Sequence, residues 1–161
     1  MPKIDLSQIP FKPGSSYPGK LANSVEGRST QRLGPVGGLT QYGVNFVRLE
    51  PDAASSLRHY HMKQDEFVIV TKGVCILRDD EGDHEMQVGD CAAFPAGEAN
   101  GHHILNHSNE LAEFLVVGTH TPTETAYYSD LDMMVRDGEK GFEFTKQDGS
   151  PLTSDIIGDD T

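Results

Sequence analysis

Residues 57–73, LRHYHMKQDEFVIVTKG, constrain the fold of this chain more than any other stretch. Residues 67–70, FVIV, are apolar at every position, so the segment needs cover on both faces. Side chains alternate along a β-strand, which points His59 and His61 to one side and Arg58 and Tyr60 to the other. Residues 62–65 make a turn, and the returning strand brings Glu66 back beside the imidazoles. If Glu66 points inward, so do Val68 and Val70, leaving Phe67 and Ile69 outside. An outward apolar pair calls for a cover, either the N-terminal segment or a second subunit, and a homodimer is expected partly on this ground. Two neutral imidazoles and a carboxylate form a nitrogen–oxygen donor set suited to Fe, Mn, Co, Ni, Cu or Zn.

A second cluster follows at residues 89–106, GDCAAFPAGEANGHHILN. On a strand starting near Gly101, His102, Ile104 and Asn106 share one face, and His103 and Leu105 share the other. Only one of the adjacent histidines can readily face an interior. His102 is the expected ligand because Asn106 lies on its side. His103 is the alternative, or else a rim residue bonded to backbone or a contact to substrate. His84, His107 and His120 fall in loops or on solvent faces, and Asp65, beside Glu66, points the opposite way into water.

The remainder frames these clusters. The chain has 161 residues, enough for one sizeable core. With 17 glycines and 9 prolines it is rich in turns, and short apolar runs recur between turn signals, which indicates an all-β sandwich or barrel. Residues 1–38 read as an extended N-terminal arm, 39–120 as the barrel core, and 121–161 as a C-terminal extension packed on the barrel. Within that extension residues 121–144 suggest a helical turn or one more hairpin, and residues 154–161 an acidic frayed tail. LGPVGG, residues 33–38, lacks the Lys-Ser/Thr ending of a phosphate loop and reads as a turn. A net charge of −12 disfavours nucleic acid and anionic membrane surfaces as partners. No apolar run is long enough for a membrane span, and the N-terminus lacks the apolar centre of a signal peptide. A cytoplasmic protein is expected, with Cys75 and Cys91 as two buried thiols.

The two clusters resemble the paired motifs of the cupin superfamily. The first motif, G-x5-H-x-H-x3/4-E-x6-G, is met by His59, His61, Glu66 and Gly73, with Ala53 in place of the leading glycine. The second, G-x5-P-x-G-x2-H-x3-N, is met by Gly89, Pro95, Gly97, His102 and Asn106. Here four residues rather than two separate Gly97 from His102. The resemblance covers residues 39–118 and implies a double-stranded β-helix, or jelly-roll, barrel. It also implies that His59, His61, Glu66 and His102 hold one divalent transition metal such as Zn, Mn, Fe or Ni. Cupins of this kind often dimerise.

A donor set of this size leaves open positions for water or substrate. Sugar or sugar-phosphate isomerisation or epimerisation is the expected reaction, on a small carbohydrate or hydroxy acid. The alternatives are a non-haem metal dioxygenase and a non-catalytic module that binds a small ligand. Candidate catalytic residues are His103 and Arg48, although the sequence leaves open which side of its strand Arg48 takes. No dedicated phosphate cradle stands out; Arg28, Arg32, Arg48 and Arg58 are the candidates to offset the acidic surface. No helix-turn-helix segment accompanies the barrel.

Overall fold

A computed structural model describes residues 3–139 and 141–158. Its strands are β1 (Lys12–Pro13), β2 (Arg28–Arg32), β3 (Tyr42–Leu49), β4 (His59–His61), β5 (Glu66–Lys72), β6 (Cys75–Asp79) and β7 (Gly82–Met86). They continue with β8 (Cys91–Phe94), β9 (His103–Leu105), β10 (Ala112–Thr119), β11 (Glu124–Tyr128), β12 (Met133–Gly138) and β13 (Gly141–Thr145). A short α-helix, α1, spans Ser154–Ile157, and 3-10 turns lie at Leu6–Gln8 and Gly19–Val25. The larger sheet has the order β1-β2-β3-β10-β5-β8, and faces the smaller sheet β7-β6-β9. A third sheet, β13-β12-β11-β4, is linked to β9 by the isolated His59–His102 bridge. All the strand pairings are antiparallel, and the architecture is the expected all-β jelly roll.

Period-2 alternation fixes what lies between the sheets. Val68 and Val70 are each 2% exposed, whereas Phe67 between Glu66 and Val68 is 42% exposed. Val47, Leu49 and Phe114 from the larger sheet meet Cys75, Leu77, Met86 and Ile104 from the smaller one. A second cluster, Ala126, Tyr128, Met133 and Val135, packs with Tyr17, Leu21 and Phe144. Residues 121–144 therefore supply two consecutive hairpins, β11–β12 and β12–β13, rather than a helical turn.

Several expectations need correction. Residues 28–32 of the expected arm form β2, paired along its length with β3. The arm covers the outer face of β2 and β3, not Phe67. Gln31 donates to the carbonyls of Leu6 and Ile9, and the Arg48 guanidinium lies 3.7 Å above the Phe11 ring. Cys75 is buried but Cys91 is exposed, because Ala92 and Phe94 take the inward positions of β8. The residues expected to begin a frayed tail form α1, which rests on the turn at Gly19–Val25. Residues 159–161 of that tail lie outside the described residues. Among the described residues no helix is long and apolar enough to cross a membrane.

Candidate metal centre

Backbone pairing brings the two sequence clusters together. His59 and His102 exchange both backbone hydrogen bonds, at 3.1 and 2.9 Å, so their side chains project side by side. The Gly97 amide donates to the His61 carbonyl at 2.8 Å, tying the second cluster to the first. Glu66 opens β5 opposite Phe94 of β8, and the Phe94 ring stacks on the His102 imidazole at 3.5 Å and 4°.

The donor atoms converge inside the barrel. His59 Nε2 and His61 Nε2 are 3.2 Å apart. Glu66 Oε2 lies 3.2 Å from His102 Nε2 and 3.9 Å from His61 Nε2. His59, His61 and Glu66 offer atoms that all lie within 4.8 Å of one another. His102 reaches the cluster through Glu66. Burial opposes the charge on Glu66, but the His102 hydrogen bond and the three imidazoles outweigh it and hold the carboxyl down at about 2. Burial, followed by the neighbouring His61 and His102, pushes His59 down to about 3. At neutral pH the cluster therefore presents a carboxylate beside a neutral His59.

These residues fit a cation. The Leu57 carbonyl, 2.9 Å from His59 Nδ1, accepts its proton and leaves Nε2 with its lone pair toward the cluster. His61 Nδ1 and His102 Nδ1 are buried without partners. Burying an unmatched N–H costs about 1–3 kcal/mol, an expense a metal bond at Nε2 would offset. Neutral imidazoles with one carboxylate make a borderline set, the type that binds Zn, Mn, Fe or Ni.

The turn between His61 and Glu66 has a support that sequence reasoning missed. Glu124, only 5% exposed, accepts from the amides of Met62 at 3.0 Å, Lys63 at 3.1 Å and Thr125 at 2.6 Å. Its signal was alternation: Glu124, Ala126 and Tyr128 share a buried face once residues 124–128 are read as a strand. Asp65 is exposed, yet its Oδ1 accepts from the Ala96 amide at 2.8 Å and braces the opposite loop. Asn106 lies on the His102 side, where it serves the backbone by donating to the Leu49 and Glu110 carbonyls.

Neither candidate catalytic residue joins the cluster. Arg48 stands opposite in parity to Val47 and Leu49, pairing with Glu113 at 3.0 Å on the outer face. His103 pairs across with Arg78, away from His102, and its Nδ1 bonds the Ser56 carbonyl at 2.9 Å. Strand parity turns Arg48 away from the cavity, whereas His103, outside the donor cluster, lines the cavity beside it. His84, His107 and His120 are exposed.

A family model described as a cupin domain matches residues 45–118. Over 98% of this chain and 100% of the other, the protein is 63% identical, with a TM-score of 0.96, to the crystal structure of a sugar phosphate isomerase of the cupin superfamily from Silicibacter pomeroyi. The chain belongs to the cupin superfamily. More distant cupins share the fold alone. A putative sugar phosphate isomerase from Acidithiobacillus ferrooxidans is 22% identical with a TM-score of 0.74, covering 86% of this chain and 90% of the other. The polyketide cyclase RemF from Streptomyces resistomycificus is 18% identical with a TM-score of 0.61, covering 74% of this chain and 79% of the other. No curated protein matches the chain.

Proposed function

We propose that this cupin is a metal-dependent isomerase of a small sugar or sugar phosphate. The observation that carries the reaction class is the 63% identity, along nearly the whole chain, to the Silicibacter sugar phosphate isomerase. His59, His61, Glu66 and His102 would hold the ion, which as a Lewis acid would polarise a sugar carbonyl or hydroxyl.

The chain's own contribution is space and dryness. Glu66 pairs in register with Gly118, and Gly118 with Gly43, so two inward positions beside the carboxylate carry no side chain. A Cβ at Gly118 would first meet the Asp65 carbonyl at 3.4 Å, and one at Gly43 the Gly118 carbonyl at 3.8 Å, so both places are open. One layer deeper, Val68 and Val116 form an apolar floor that limits water. A homodimer joined over the exposed Phe67 face accompanies this reading.

The test combines elemental analysis of the purified chain with turnover of a panel of sugar phosphates and oxygen-uptake measurements. Isomerisation that stops on chelation and returns with metal is the expected result. Substrate-dependent oxygen consumption with bound Fe would replace this reading with the dioxygenase.

A further inference from the structure

The cavity beside the cluster, about 1290 Å³, is walled by the inner face of the larger sheet and by the N-terminal segment. Register decides which side chains of β1 and β2 enter it. Arg28, Thr30 and Arg32 pair with Leu49, Val47 and Asn45 respectively, and Lys12 pairs with Thr30. Cross-strand partners share a face, and Val47 and Leu49 face the core. Lys12, Arg28 and Arg32 therefore surround Thr30 on the inner face. Gln31, of opposite parity, is the residue that bonds the arm outside.

The charge balance of this wall inverts that of the molecule. The chain carries 25 acidic residues against 13 basic ones, yet among the described residues Glu66 is the only acidic one lining the cavity. Lys12 and Arg32 make no side-chain hydrogen bond or ion pair among the described residues. Arg28 meets only carbonyls, those of Ser55 at 2.8 Å and Gly14 at 3.4 Å, and its Nε is buried without a partner. Burial holds Arg28 below the usual guanidinium range against the opposing influence of Tyr17, and the like charge of Arg32 adds a smaller lowering. Cations set together without a carboxylate, one of them with a spare buried donor, suit an anion with several acceptor oxygens.

We infer that Lys12, Arg28, Thr30 and Arg32 form the subsite for the phosphate of a phosphorylated substrate, which they hold with its reacting end at the His59–His61–Glu66 cluster. This rests on the sugar-phosphate reading above and names the residues that would select the phosphorylated form. β2 and β5 are three strand spacings apart in the sheet, roughly 14 Å, and Arg32 stands in the row of Val68, one layer below Glu66. A long arginine side chain shortens that gap to a length a linear sugar phosphate can bridge.

The experiment is calorimetric titration of inorganic phosphate into the full chain after chelation, which removes any metal-bound phosphate. Saturable binding is expected, weakened about ten- to a hundredfold by Arg32→Met, the loss of a charged hydrogen-bonding partner. Arg136→Met, which removes an exposed charge from β12 in another sheet, should leave it unchanged. No binding at millimolar phosphate, or equal binding by Arg32→Met and the wild type, would overturn the subsite. The two readings fail separately. Phosphate binding through Arg32 without turnover of any sugar phosphate removes the isomerase and keeps the subsite. Turnover with an unchanged KM in Arg32→Met does the reverse.

Discussion

At the scale of single residues, the candidate centre depends on groups that never touch the cluster. Glu124 receives the amides of Met62 and Lys63, and so holds the turn that sets His61 against Glu66. Glu124→Ala should lower the melting temperature, since the Lys63 amide loses its acceptor while the Met62 amide keeps the Thr125 carbonyl, a loss of about 1 kcal/mol. It should also weaken metal binding about 10–100-fold, as loss of a supporting partner does. Glu124→Gln, which keeps an acceptor, should recover part of both in calorimetry and metal titration. Acid sensitivity follows from the two depressed groups. Glu66, ordinarily near 4.5 and held at about 2, contributes stability above pH 4.5 that is lost as pH falls toward 2. His59, ordinarily 6.5 and pushed to about 3, binds its proton in the unfolded chain first, so it too lowers stability as pH falls from 6.5. Thermal unfolding of chelated protein should thus show a melting temperature falling below pH 6.5. His59→Asn should flatten the part between pH 6.5 and 4.5; an unchanged slope would remove His59 as its source.

At the scale of elements, local periodicity was legible and long-range register was not. The alternation in β5 set Glu66, Val68 and Val70 on one face, and the parity of residues 102–106 gave His102 and not His103 to the barrel. Arg48 could not be assigned because its parity depends on pairing with β10, where it meets Glu113, 65 residues away. Cys91 failed for a related reason: in CAAF every residue is apolar, so only pairing with β5 decides which side is inside. Glu124 was invisible until residues 124–128 were known to lie against β4. The same register gives a test of the open space beside Glu66. Gly118→Leu should keep metal content but reduce kcat/KM for the substrate by an order of magnitude or more. Full activity in that variant would place the substrate elsewhere.

Taken as a whole, the acidic molecule encloses a cavity with a basic wall. Phe67 lies on the outer face of β5, 42% exposed, while the arm covers β2 and β3, on the far side of β10. The proposed homodimer over that face should appear as a dimer in light scattering at micromolar protein, and Phe67→Asp should shift it to monomer. A wild-type monomer would show that this face has no partner. The most direct test of the whole lies in the metal itself. Elemental analysis of purified wild type, His59→Ala and Glu66→Ala, each reloaded with Zn, Mn, Fe or Ni and desalted, should find about one ion per chain in the wild type and almost none in the variants. His103→Ala should retain the ion. Equal metal in all four proteins, or none in the wild type, would contradict a centre built on His59, His61, Glu66 and His102.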